Sequence, residues 1–275
     1  MTQKPDYTQS PTIIVVGCPR SGTSPFARWL DGCGFETASD PRRTARYPKG
    51  YFEHLPILMF HKALERLPRG ADHAISMEPF LRTEQLEDPF VRTCFDAAFE
   101  PLLSGALDFI KFPQLALSID FLFEQLPNVH VIGLWRDPVP TFRSLITREF
   151  PAEMRPSSTV KSTLLWNLYA HHLVRAADTH GDRFTLISID RFLAEPSMGP
   201  AILGRAGRNP DLAIPCEEVV DLALWHRPVP LHWKVYHAFA TRLSHLVARR
   251  FDDERRVLAT QKDWVSRLER ASTFH

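Results

Sequence analysis

The 275-residue chain carries a formal net charge of +1, with 44% hydrophobic and 24% charged residues. That apolar content suffices for the core of one large domain, and the near-neutral balance supplies no global field to draw in nucleic acid or a membrane surface. No run approaches the eighteen apolar residues of a membrane span, and residues 1–11 lack the apolar stretch of a signal peptide, so a cytoplasmic protein is expected.

The first element in chain order is "TIIVV" (12–16), read as a buried strand. "GCPRSGTSPF" (17–26) follows, with Gly17 and Gly22 spaced as in the phosphate loop G-x-x-x-x-G-K-[ST] but with Thr23 in the lysine slot. Phe26, Trp29, Leu30 and Cys33 then recur at i, i+3, i+4 and i+7, with Pro25 in the first turn and Gly32 and Gly34 near the end, which predicts a helix. A loop entering a helix N-terminus presents successive backbone N–H groups and the positive end of the helix dipole to an anion. Thr23 and Ser24 add hydroxyl donors, and the cation is Arg20, whose planar fork suits an anionic group held without a metal. Cys18, inside the loop, reads as a small apolar filler. The four cysteines are scattered, without C-x-x-C spacing, and suit reduced thiols better than a disulfide frame or a zinc site.

"PRRTARYPKG" (41–50) carries Arg42, Arg43, Arg46 and Lys49. Its plain reading is a solvated loop, its functional one a lure for an acidic acceptor. Further strands are expected at 73–77, 107–112, 129–135 and 184–189, giving an α/β fold of three layers, with a central parallel sheet of about five strands. The strand at 129–135 delivers Arg136 to its C-terminal end, where ligands of open α/β sheets bind. Ser144 lies eight positions later, about two turns into a helix over 138–149, so Arg136 and Ser144 can pinch one phosphate. Residues 156–181 read as a long helix, and "LISID" ends at Asp190, which a nucleotide kinase would use as a metal-binding carboxylate. From about Gly207 the pattern gives a loop, "GRNPDLAIPC", and two amphipathic helices at roughly 230–250 and 252–270. The organisation expected is one domain over 1–275, with an α/β nucleotide-binding core (12–206) and a helical C-terminal extension (207–275). The histidine pairs His171–His172 and His232–His237 have the wrong spacing to share a helix face, and no metal site is expected.

Together these residues resemble the P-loop sulfotransferases, of bacterial type, that use 3′-phosphoadenylyl sulfate (PAPS). "GCPRSGTS" is similar to the family's 5′-phosphosulfate loop, and "RDPVPTFRS", with its Arg and a Ser eight residues on, to the 3′-phosphate motif. "IKFP" (110–113) and "YPKGYFE" (47–53) resemble two further segments of the bacterial members, and the likeness spans about residues 12–195. Two departures stand out: Phe112 follows the lysine where the family usually has Asp, and the C-terminal R-K-G-x-x-G-D-W-K of eukaryotic cytosolic members is missing. The resemblance implies a PAPS-dependent sulfotransferase in which Arg20, Ser21, Gly22, Thr23 and Ser24 hold the 5′-phosphosulfate and Arg136 and Ser144 the 3′-phosphate. Glu53 would be the base, with Glu36 and His54 as alternatives, and Lys111 and Arg20 would stabilise the charge that develops. No metal is needed, the product is adenosine 3′,5′-bisphosphate, and the acceptor is a small molecule, glycan or lipid bearing a hydroxyl. Neither nucleic acid nor a membrane is an expected partner, and a homo-oligomer stays open. Two rivals remain. One is a P-loop nucleotide kinase or NTPase, against which Thr23 in the lysine slot counts. The other is a catalytically silent nucleotide-binding protein of the same fold.

Overall fold

The computed structural model describes residues 10–37, 56–57, 60, 86–149, 156–218, 225, 228–248 and 261–272. Strand β1 (Thr12–Gly17) runs into helix α1 (Thr23–Gly32), as the apolar spacing predicts. Helix α2 (Pro89–Leu103) precedes strand β2 (Phe109–Lys111), and a 3₁₀ segment (Pro113–Ser118) leads into α3 (Ile119–Gln125) and β3 (Val129–Trp135). Helices α4 (Pro138–Glu149) and α5 (Pro156–Thr179) follow, then β4 (Phe184–Ser188), α6 (Ile189–Ala194) and α7 (Met198–Arg205). Last come α8 (Leu231–Ala248) and α9 (Gln261–Ala271).

The four strands form one parallel sheet in the order β2-β1-β3-β4. Every strand residue except Thr12, Lys111, His130, Gly133, Thr185 and Ser188 is hydrophobic or Gly17, and all are buried, as a sheet covered on both faces requires. Alternate residues feed two separate cores. Ile14, Val16, Ile110 and Val131 pack with α2, α3, α5 and α9, whereas Ile13, Val15, Phe109 and Ile132 pack with α1, α6 and α7. Each large apolar side chain so removed from water contributes about 1.5–3 kcal/mol. The result is the expected three-layer α/β architecture.

The sheet has four strands among the described residues rather than about five, and the expected strand at 73–77 lies outside them. β2 is shorter than the predicted 107–112, because Asp108 turns to other work. Its carboxylate accepts from the Glu36 backbone N–H (2.9 Å) and from Arg208 Nη1 (3.2 Å), pinning the start of the strand. Helix α2 went unread in the sequence. Its N-cap is nonetheless plain: Asp88 accepts from the N–H groups of Phe90 and Val91, with Pro89 at the first position. The segment read as a plain loop after Gly207 contains two 3₁₀ turns, Pro210–Leu212 and Cys216–Glu218. It closes over α1, with Trp29 Nε1 donating to the Ile214 carbonyl at 2.8 Å. The last helix, described over Gln261–Ala271, packs against α5, and the earlier part of the expected 252–270 helix lies outside the described residues.

Candidate functional site

The loop between β1 and α1 leaves no room for side chains at its two glycines. A Cβ on Gly17 would lie 2.4 Å from the Leu134 carbonyl oxygen. One on Gly22, whose φ is +94°, would lie 2.6 Å from Ile189 Cγ1 and 2.7 Å from Trp225 Cη2. Arg20 is the one non-glycine with a left-handed φ (72°) among the described residues, a conformation that costs about 1–3 kcal/mol. The turn aims its side chain at α4, where Nε donates to Ser144 Oγ at 3.0 Å. Ser21 is fully buried and braces the loop: its N–H donates to the Cys18 carbonyl (3.0 Å) and its hydroxyl to the Leu134 carbonyl (3.2 Å). Burial also pushes the Cys18 thiol up, so it stays protonated and fills space. Thr23 is buried and Ser24 half-buried in the first turn of α1. The N-cap, Gly22, supplies no side-chain acceptor and the first turn holds no acidic residue, so no side chain of that turn offsets the positive end of α1.

Gly17 pairs with Leu134 across β1 and β3, so the chain leaves both strands side by side, into the loop from one and into Arg136 from the other. Arg136 is anchored on several sides. Its carbonyl accepts from Trp166 Nε1 (3.1 Å), its Nε lies 3.5 Å from Asp190 Oδ1, and its Nη2 donates to the Trp225 carbonyl (3.4 Å). The guanidinium carbon sits 3.7 Å from the centroid of the Trp225 ring, whose Nε1 donates to the same Asp190 oxygen at 2.7 Å. Burial pulls the Arg136 pKa below the ordinary guanidinium value, with Asp190 and Asp137 pushing it back up, and the group stays cationic. Asp137 turns away to cap α4, accepting from the Val139 N–H at 2.8 Å, although burial raises its pKa.

Ser144 thus meets Arg20, while the side chain of Arg136 meets Asp190 and Trp225. The Ser144 hydroxyl, expected to share a phosphate with Arg136, links α4 to the loop. Lys111 ends β2, opposite Val15 and only 1% exposed, which excludes a surface lysine at a strand end. Glu36 is exposed, and its carbonyl accepts from the N–H groups of Asp108 and Phe109 at the start of β2. Glu53, His54 and the basic residues Arg42, Arg43, Arg46 and Lys49 lie outside the described residues. Among the described residues no three His, Cys, Asp or Glu side chains could hold a metal ion together, and no helix is long and apolar enough to cross a membrane. Trp225 is the site residue that sequence reasoning missed. No motif flags it, and it comes from the helical C-terminal third. Asp190, which a nucleotide kinase would use as a metal-binding carboxylate, instead meets Arg136 and Trp225.

A sequence model described as "Sulfotransferase family" matches residues 11–198. No curated protein matches the chain. Among solved structures, the sulfotransferase domain of the Synechococcus PCC 7002 olefin synthase is similar at 17% identity and a TM-score of 0.47, over 98% of each chain. A sulfotransferase from Alicyclobacillus acidocaldarius is similar at 14% identity and a TM-score of 0.44, over 86% of this chain and 95% of that one. Sulfotransferase STF9 from Mycobacterium avium shows 18% identity and a TM-score of 0.44, over 90% of this chain and 78% of that one.

Proposed function

The chain belongs to the sulfotransferase family, and from that premise we propose that it moves a sulfuryl group from PAPS to an acceptor hydroxyl. One observation carries the choice of donor. Two cationic, anion-facing elements, the loop with Arg20 and the β3 end with Arg136, leave paired strands side by side, and the Arg20–Ser144 hydrogen bond ties the loop to the helix that follows Arg136. A nucleotide with anionic groups at both its 5′ and 3′ positions fits such a pair.

In this reading the loop N–H groups, the Thr23 and Ser24 hydroxyls and Arg20 hold the 5′-phosphosulfate, with Gly22 and Ser21 shaping the loop. Arg136 holds the 3′-phosphate, and Ser144 serves both groups through its place beside Arg20. Glu53 takes the proton from the acceptor hydroxyl, whose oxygen attacks sulfur in line. A new S–O bond to the acceptor forms as the bond from sulfur to the 5′-phosphate oxygen breaks, and adenosine 3′,5′-bisphosphate leaves. Lys111 and Arg20 supply positive charge to the transferring group and the departing oxygen, so no step draws on a metal. The acceptor is a small molecule, glycan or lipid.

The test is incubation with PAPS labelled on sulfur against panels of glycans, lipids, phenols and small hydroxylated metabolites. Label should appear in one acceptor class. Glu53→Gln should slow transfer by about 10²-fold or more at unchanged affinity for the bisphosphate, with a smaller effect from Glu36→Gln. An inactive Glu36→Gln beside an active Glu53→Gln would move the base to Glu36. Label in no acceptor, despite tight PAPS binding, would favour a silent nucleotide-binding protein.

A further inference from the structure

Trp225 lies beyond the residues that the family model matches, yet its indole touches both anion-facing elements at once. Its ring edge covers Gly22, where a Cβ would come within 2.7 Å of Cη2, and its face lies 3.7 Å from the Arg136 guanidinium carbon. The Nε1–H donates to Asp190 Oδ1 at 2.7 Å, and that oxygen is 3.5 Å from Arg136 Nε, so one carboxylate oxygen holds the edges of the ring and the guanidinium together. The Trp225 carbonyl accepts from Nη2 at 3.4 Å. The buried Nε makes no hydrogen bond of good geometry.

We propose that Trp225 is a positioning and specificity-determining residue of the donor site. By stacking on Arg136 while resting on Gly22, it fixes the guanidinium at a set offset from the loop, so that a nucleotide with anionic groups at both 3′ and 5′ positions is selected over one with the 5′ group alone. The inference rests on Arg136 as the 3′-phosphate ligand. Its physical basis is twofold. An arginine ordered before the ligand arrives loses no further rotamer entropy on binding, and an aromatic face that keeps water off the guanidinium strengthens its attraction for a phosphate.

Calorimetric titration of adenosine 3′,5′-bisphosphate and of adenosine 5′-monophosphate into the full chain tests this, with wild type, Trp225→Phe and Trp225→Ala side by side. Trp225→Ala should bind the bisphosphate about tenfold more weakly, with little change for the monophosphate, and Trp225→Phe, which keeps an aromatic face, should recover most of the loss. Where melting curves show the alanine variant unfolded, Trp225→Leu keeps apolar bulk over Gly22 without a π face and should show the same selective loss. An unchanged ratio of the two affinities, including equal losses for both ligands, would overturn the role of Trp225 while leaving the donor assignment standing. A wild type that does not prefer the bisphosphate would instead overturn the assignment of Arg136, and the role of Trp225 with it.

Discussion

Lys111→Met is expected to lower kcat by about 10²- to 10³-fold while leaving the affinity for adenosine 3′,5′-bisphosphate close to that of wild type. The reasoning starts from burial. At 1% exposed, Lys111 is held by its surroundings, which gives its ammonium group a fixed place at the end of the strand. Lys111 ends β2 opposite Val15, in the strand that feeds the loop, and so lies at the C-terminal edge where the sulfuryl group would be transferred. A cation there acts on charge that grows between ground state and transition state, which is why the loss should fall on kcat rather than on binding of the product nucleotide. Methionine retains the unbranched stem, so the surrounding packing changes little. A folded Lys111→Met enzyme with unchanged kcat would remove Lys111 from the chemistry.

The second large effect is expected in the double variant Arg136→Ala/Ser144→Ala, which should bind PAPS on the order of 10²-fold or more weakly. Adenylyl sulfate, which lacks only the 3′-phosphate, should lose clearly less, namely the part that Ser144 contributes to the loop through Arg20. Hydrogen bonds to charged groups contribute roughly 1.5–3 kcal/mol each, and every 1.4 kcal/mol is a factor of ten in affinity. The structure divides that loss unevenly. Arg136→Ala removes the guanidinium at the β3 end, whereas Ser144→Ala removes the acceptor that holds Arg20 Nε, so the serine variant alone should also disturb the loop and turnover. Asp190, left without its cation, stays 39% exposed and can be solvated by water, so the fold should survive. Calorimetric titration of both nucleotides separates the cases, and equal losses for the two would make Arg136 a structural residue rather than a phosphate ligand.

The parts of the fold that could be read in advance are those where local pattern and tertiary role agree. β1, the loop and α1 carry an apolar run, two glycines forced by close approach and an i, i+3, i+4, i+7 stripe, each of which is a local signal. The helix at 138–149 and the strand at 129–135 were legible for the same reason. β2 was overextended because Leu107 and Asp108 continue the apolar-looking run, while the carboxylate of Asp108 is drawn to Glu36 and Arg208, residues far away in sequence. In the site, the two motifs placed Arg20, Arg136 and Ser144 near the sheet edge but not their partners. A hydrogen bond across 124 residues, such as Arg20 to Ser144, leaves no periodicity to read. Trp225 is the strongest case: it meets Arg136 across 89 residues from a segment without a motif, and only the folded chain brings them together.

The most direct measurement is equilibrium titration of the wild-type protein with adenosine 3′,5′-bisphosphate in the presence of a metal chelator, beside titrations with adenosine 5′-monophosphate and with Mg·ATP. If the loop and Arg136 take the two anionic groups of one nucleotide, the bisphosphate binds one per chain without metal, on the order of 10²-fold more tightly than the monophosphate, and Mg·ATP competes poorly. Tight, magnesium-dependent binding of ATP, with no preference for the bisphosphate, would contradict it.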